Sequence, residues 1–87
     1  MTIVVTYSTH AERRMRERSI SKPEVEETLA RPLEVRETRY ERKAACRRIG
    51  GDDYLVVIFE DSAEDLIVVT ALKVDRERVK KYGFTRV

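Results

Sequence analysis

The chain has 87 residues, with 18 Lys/Arg against 16 Asp/Glu and a formal net charge of +2. That length bounds it to one domain, residues 1–87, with a limited core. No stretch approaches the ~20 apolar residues of a membrane helix, one cysteine builds neither a disulfide framework nor a zinc site, and the opening M-T-I-V-V-T-Y lacks the basic region and cleavage pattern of a signal peptide, so the expected setting is the cytoplasm, with no membrane.

Charge is distributed unevenly. Residues 1–50 carry 12 Lys/Arg and 8 Asp/Glu, whereas residues 51–87 carry 6 and 8. The N-terminal half is therefore the expected place for an anionic partner.

Ile3-Val4-Val5-Thr6-Tyr7 is β-branched and aromatic and predicts a first strand. Ser8 or Thr9 can cap the helix that follows, because a hydroxyl accepts from a first-turn N–H. That helix runs roughly from Thr9 to Arg18, with a thin apolar seam of Ala11 and Met15 and with Ile20 just beyond. Ser21-Lys22-Pro23-Glu24 is a capping-box signature for a second helix, which extends to about Ala30. Val25, Leu29 and Thr28 are its inward positions. Pro32 stops it.

From Leu33 the period changes to two, with Leu33 and Val35 alternating against Glu34 and Arg36 up to Tyr40. Glu41-Arg42 reads as a turn. Lys43 to Ile49 is the next strand, and Gly50-Gly51-Asp52-Asp53 is a strong turn. Tyr54 to Phe59 and Asp65 to Lys73 are near-continuous apolar runs, joined by a turn over Glu60–Glu64. Short connections favour antiparallel neighbours. Asp75 to Tyr82 predicts a short C-terminal helix, with Asp75 as cap and Val79 inward, ended by Gly83. The expected class is α+β: two N-terminal helices on a mostly antiparallel sheet of about four strands.

Two clusters carry chemistry. His10, Arg14 and Arg18 fall at i, i+4 and i+8 and share one helix face. Arg13 and Glu17 form a neighbouring row. Imidazole beside guanidinium suits a phosphate-bearing substrate, since arginine binds phosphate bidentately and histidine moves protons near neutrality. The same side chains can equally pair with Glu17 on a solvated face. On the strand 43–49, Lys43, Ala45, Arg47 and Ile49 point one way, and Ala44, Cys46 and Arg48 the other. One arginine of the pair therefore approaches the helices and the other the open side. An open face shared with Glu37, Arg39, Tyr54 and Thr70 is either an RNA platform or a cross-strand charge ladder.

Cys46 reads as a buried structural thiol. Asp52-Asp53 and Asp61 with Glu64-Asp65 are explained by turn chemistry, so no metal is expected. There is no phosphate-binding glycine loop and no nucleophile elbow.

H-A-E-R-R-M-R-E-R-S-I at 10–20, then S-x-x-E-V-x-x-x-L at 21–29, a proline at 32 and L-I-V-V-T-A-L at 66–72, resembles a small uncharacterised bacterial and archaeal family. Its opening pattern is H-A-x-x-R-M-x-x-R-x-I, and it is grouped with RelE/ParE-like toxins, including BrnT-like proteins. The resemblance carries over to His10, Ala11, Arg14, Met15, Arg18, Ile20 and, more loosely, Thr70. It implies two helices packed on a curved antiparallel sheet. It also implies a toxin of a toxin–antitoxin pair, either a metal-independent endoribonuclease or, as in other members of the wider group, a protein acting on DNA gyrase.

In the ribonuclease reading His10, Arg14 and Arg47 are the catalytic set. Arg13, Arg18, Lys43, Arg48, Thr70 and Tyr82 contact nucleic acid; Arg47 and Tyr82 are chosen on chemistry alone. The expected partners are RNA, ribosome-associated or free, an antitoxin protein and a second copy in a homodimer. No cofactor is expected. The alternative is a non-catalytic module that binds an antitoxin or another regulator.

Overall fold

The computed structural model describes residues 4–87; Met1 to Ile3, and with them the start of the expected first strand, lie outside the described residues. The order is β1 (Val4–Tyr7), α1 (Thr9–Glu17), α2 (Lys22–Ala30), β2 (Glu34–Glu37), β3 (Lys43–Gly50), β4 (Asp53–Asp61), β5 (Asp65–Asp75) and α3 (Arg76–Lys81). The domain is α+β, as expected, with one sheet of five strands in the order β1-β5-β4-β3-β2.

Two expectations about the sheet are corrected. It has five strands rather than about four, because β1 joins it. The pairing of β1 with β5 is parallel, Val4 beside Asp65 through Tyr7 beside Val68. Such a pairing needs a long crossover between the strands, and here everything from α1 to β4 lies between them. The second strand is also shorter than its alternation suggests. It ends at Glu37, and Arg39–Arg42 form a tight turn in which Tyr40 and Glu41 adopt φ of 62° and 57°. Consecutive positive φ values match the right-handed twist of a hairpin.

The helices follow their caps. Ser8, not Thr9, caps α1: its Oγ accepts from the Ala11 N–H at 3.0 Å. Ser21 and Glu24 complete the capping box at α2. Both helices lie on one face of the sheet. Ala11, Met15, Ile20 and Val25 pack there on Ala45, Leu55, Val57, Phe59, Val68 and Ala71. Fully burying one aliphatic side chain of this kind contributes about 1.5–3 kcal/mol. Thr28, also fully buried, donates its hydroxyl to the Glu24 carbonyl at 2.9 Å.

The β4–β5 ladder shifts register at one point: Ile58 pairs with Thr70, but Phe59 pairs with Val68. Val69 is thus an extra residue, a β-bulge. It inverts the alternation of β5. Leu66 and Val68 face the helices and so does Ala71, while Leu72 and Val74 face away. Ser8 docks at this bulge, its N–H donating to the Val68 carbonyl at 3.0 Å and its hydroxyl to the Val69 carbonyl at 3.4 Å.

The sheet's second face has its own core. Val79 of α3 and Phe84 beyond it cover Ala44, Cys46, Tyr54, Val56 and Val74. Gly83, at φ 92°, turns the chain back from α3; positive φ is tolerated by glycine without a side-chain clash. Strand β2 holds this tail. Arg36 donates to the Gly83 carbonyl, and one Glu34 oxygen accepts from the Thr85 and Arg86 N–H groups, both at 2.8 Å.

The Arg86 and then the Thr85 N–H hold the Glu34 carboxyl below its usual range. A depressed carboxyl stabilises the native tail above its unfolded value and loses that effect as pH falls through the native one. The Thr85 and Arg86 amide resonances are therefore expected to shift together as pH drops below about 4. In Glu34→Gln that step is absent; a step of unchanged size in the variant would refute the clasp.

Candidate nucleic-acid interface

Helix α1 does present its row. His10 and Arg14 stand one turn apart on its outer side, His10 exposed and Arg14 half-buried. Glu17 takes up both neighbouring guanidinium groups, at 3.3 Å from Arg13 and 3.3 Å from Arg14. Exposed pairs of this kind contribute little to stability, and the single Glu17 carboxylate offsets only one of the two guanidinium charges it meets.

Arg18 has a role that its spacing does not reveal. Beyond Tyr7, strand β5 has no strand beside it on the β1 side, and α1 lies along that edge. The Arg18 guanidinium donates to the Ala71 carbonyl at 2.8 Å, in the role of a missing ladder partner. Lys73 reaches back to the Ser19 carbonyl at 3.3 Å.

The expected division of the arginine pair is found. Arg47 points to the helix side, where Glu27 of α2 meets it at 3.7 Å. Arg48 points to the second face and donates to the Gly51 carbonyl at 2.7 Å. The proposed catalytic set is nevertheless not gathered into one cleft. Helix α1 lies over β5, and Arg47 sits two strands away on β3, roughly 10 Å across the sheet at ordinary strand spacing. His10 stands at the start of α1, near Val68. Arg47 lies in the row of Leu55 and Lys73, where α1 ends.

The other named residues also divide between the faces. Lys43, on the helix side, pairs with Asp61 at 3.2 Å. Thr70 is on the second face, opposite Ile58. Tyr82 follows α3 on that same side and is 41% exposed. The open platform is smaller than strand alternation suggests. Tyr54 is buried beneath the C-terminal segment, Arg39 lies in the turn after β2, and Glu37 faces the helix side beside Lys43.

Cys46 is fully buried under Phe84, and burial, followed by the Glu34 charge, pushes its thiol up to about 11. A thiol in that state is a poor nucleophile. Tyr7 is likewise unsuited to proton transfer. Burial and then its hydrogen bond to Glu26, at 2.8 Å, hold the phenol well above its usual value. Among the described residues no group of three or more His, Cys, Asp or Glu side chains could hold a metal ion.

A family model described as "Domain of unknown function (DUF4258)" matches residues 7–80. The chain belongs to that family. No curated protein and no solved structure matches it. The DUF4258 match takes in the α1 row, the capping box, Arg47, Arg48 and Thr70. It ends inside α3, so the tail that closes the second face lies beyond it.

A basic cluster at the C-terminus is hidden in the charge of the whole C-terminal half. Residues 76–87 hold five Lys/Arg and one Glu. The acids of residues 52–65 cancel them in the sum over residues 51–87, and only a shorter window reveals the cluster. The fold places it on α3 and the tail, over the second face, where only Arg76 meets one of those acids, Asp52 at 3.6 Å. Among the described residues no helix is long and apolar enough to cross a membrane.

Proposed function

We propose that this DUF4258 protein is a toxin-like domain of RelE/ParE-like architecture that acts on RNA as a metal-independent endoribonuclease. The observation that supports the reading is the division of the sheet. Both N-terminal helices occupy one face, and the other is bordered by a basic C-terminal segment and by Thr70, Arg48 and Tyr82. Cationic and aromatic side chains beside a sheet suit single-stranded RNA.

In this reaction the ribose 2′-hydroxyl loses its proton and attacks the adjacent phosphorus. The 5′-oxygen leaves with a proton, and a cyclic phosphate remains. His10 is the one imidazole available to carry a proton, and Arg14, one turn away, can hold a phosphate oxygen once Glu17 is displaced. Arg47 stands two strands from β5, over which α1 lies, beside Glu27 of α2, and takes no part in this step.

A second reading is favoured by a specific observation. Arg13, Arg14 and Arg47 are each met by a carboxylate, and Arg18 by a backbone carbonyl. Such a surface suits a non-catalytic module that binds an antitoxin-like protein. One experiment separates the two. The protein is expressed alone, and growth arrest and RNA cleavage are measured with and without ribosomes. The nuclease reading expects cleavage by the wild type and a loss of about 10²-fold or more in His10→Ala. Equal inertness of both proteins removes it. Capture of a small protein partner without cleavage supports the module.

A further inference from the structure

We infer that α3 and the tail form the principal phosphate-docking surface of the molecule for single-stranded RNA. The inference rests on the RNA reading above and moves the docking site away from α1, where the spacing of basic residues places it.

Most basic residues of the N-terminal helices and of β3 already have a partner, whereas those of the C-terminal segment are mostly free. Arg13, Arg14, Arg42, Lys43 and Arg47 are all within 4.0 Å of a carboxylate. Among the described residues Arg78, Lys80, Lys81 and Arg86 have no such neighbour, while Arg76 meets Asp52 at 3.6 Å. Arg16, Lys22 and Arg31 of the helix layer are equally without a carboxylate, but they lie apart on α1, at the start of α2 and at its end, rather than on one short segment beside an exposed tyrosine. All of these C-terminal cations are exposed. A free cation can neutralise a phosphate and displace the counterions condensed on the RNA, whereas a paired guanidinium must first give up its carboxylate.

Geometry keeps them together. The inward residue of α3 is Val79, which is fully buried. Arg76 and Lys80, four apart, share one flank of the helix, and Arg78 and Lys81, three apart, share the other. Phe84 pins the following segment to the sheet, so the cations stand on an ordered element. Tyr82, which ends the helix, is 41% exposed, and a base can stack on such an aromatic residue.

The chemistry selects RNA over a lipid surface. An interfacial helix needs an apolar face turned outward. Here the apolar residues of the segment, Val79 and Phe84, are spent on the sheet.

The test is fluorescence anisotropy of a labelled single-stranded RNA oligonucleotide across a salt series. The comparison is between wild type, R78Q/K80Q/K81Q and a control of equal charge loss on the helix layer, R16Q/K22Q/R31Q. Circular dichroism checks that each variant is folded. At ~0.1 M salt the α3 variant is expected to bind at least tenfold more weakly. Its slope of log K against log salt should be shallower by about 2, because each phosphate that is no longer neutralised removes roughly 0.7 from the slope. The helix-layer control should stay within twofold of wild type. Equal weakening of both variants would mean bulk charge alone and would overturn the inference while leaving RNA action intact. So would wild-type affinity in the α3 variant. Absence of RNA binding by the wild type would remove the inference and the RNA reading together.

Discussion

Leu55→Ala is expected to cost about 2–5 kcal/mol, a large share of the stability of a domain this small. Leu55 is fully buried on the central strand β4. It lies directly between Arg47 of β3 and Lys73 of β5, beneath Met15, Ile20 and Val25. Neighbouring strands hold it on both sides, so the cavity left by truncation cannot collapse. Large-to-small changes at such sites cost about 2–5 kcal/mol. A domain of this length has only about 4–13 kcal/mol to lose at ~0.05–0.15 kcal/mol per residue. Urea denaturation followed by circular dichroism gives the measurement. A midpoint within about 0.3 M of wild type, on the order of 0.5 kcal/mol, would show that the helix-side core does not depend on this side chain.

Phe84→Ala tests the other face. Phe84 is 3% exposed and packs on Ala44, Cys46, Tyr54, Val56, Val74 and Val79. The expected loss is about 3 kcal/mol, and it has a second, chemical readout. In the wild type the buried Cys46 thiol, pushed up to about 11, should react very slowly with an aromatic disulfide at pH 8. Removing the ring opens the path to it and returns the thiol toward its ordinary value near 8.5. The reaction rate should then rise by tenfold or more. Phe84→Leu, which keeps most of the apolar contact, should restore the slow rate. Equal rates in wild type and Phe84→Ala would show that the tail does not guard this face.

These two outcomes separate the two cores, which differ in how legible they are in the sequence. The helix-side core is readable in outline. Ala11 and Met15 stand four apart on α1, Ile20 follows it, and Val25 is an inward position of α2; all are buried, because an apolar seam on a helix has only the sheet to cover it. The second core is readable only at Val79, the expected inward residue of the C-terminal helix, which is fully buried. Phe84 and Val79 are isolated apolar residues in a basic segment, and nothing local says which sheet face they cover.

The candidate site shows the same split. The row His10, Arg14, Arg18 is set by the helical repeat, and the structure keeps His10 and Arg14 on α1 with Arg18 as its C-cap. Its meaning changes at Arg18, which serves the Ala71 carbonyl. The need for that donor arises only when β5 is found to lack a neighbour along its upper half. Arg47 and Arg48 point to opposite faces because strand geometry requires it. Their actual partners, Glu27 and the Gly51 carbonyl, depend on which helix and which turn the fold brings near.

By itself, the sequence determined the local elements: the Ser21–Glu24 capping box, the stop at Pro32, the turn at Gly50–Gly51 and the cap at Asp75. Each is settled by hydrogen bonds and dihedral preferences within a few residues. Only the tertiary structure decided the parallel β1–β5 pairing, the bulge at Val69 and the seating of the tail. The first and last join residues far apart in the chain. The bulge inverts a run, L-I-V-V-T-A-L, whose residues are all apolar or nearly so. A run with no polar alternation offers no signal of where its faces exchange, so Thr70 could be assigned a face only after its partner Ile58 was known.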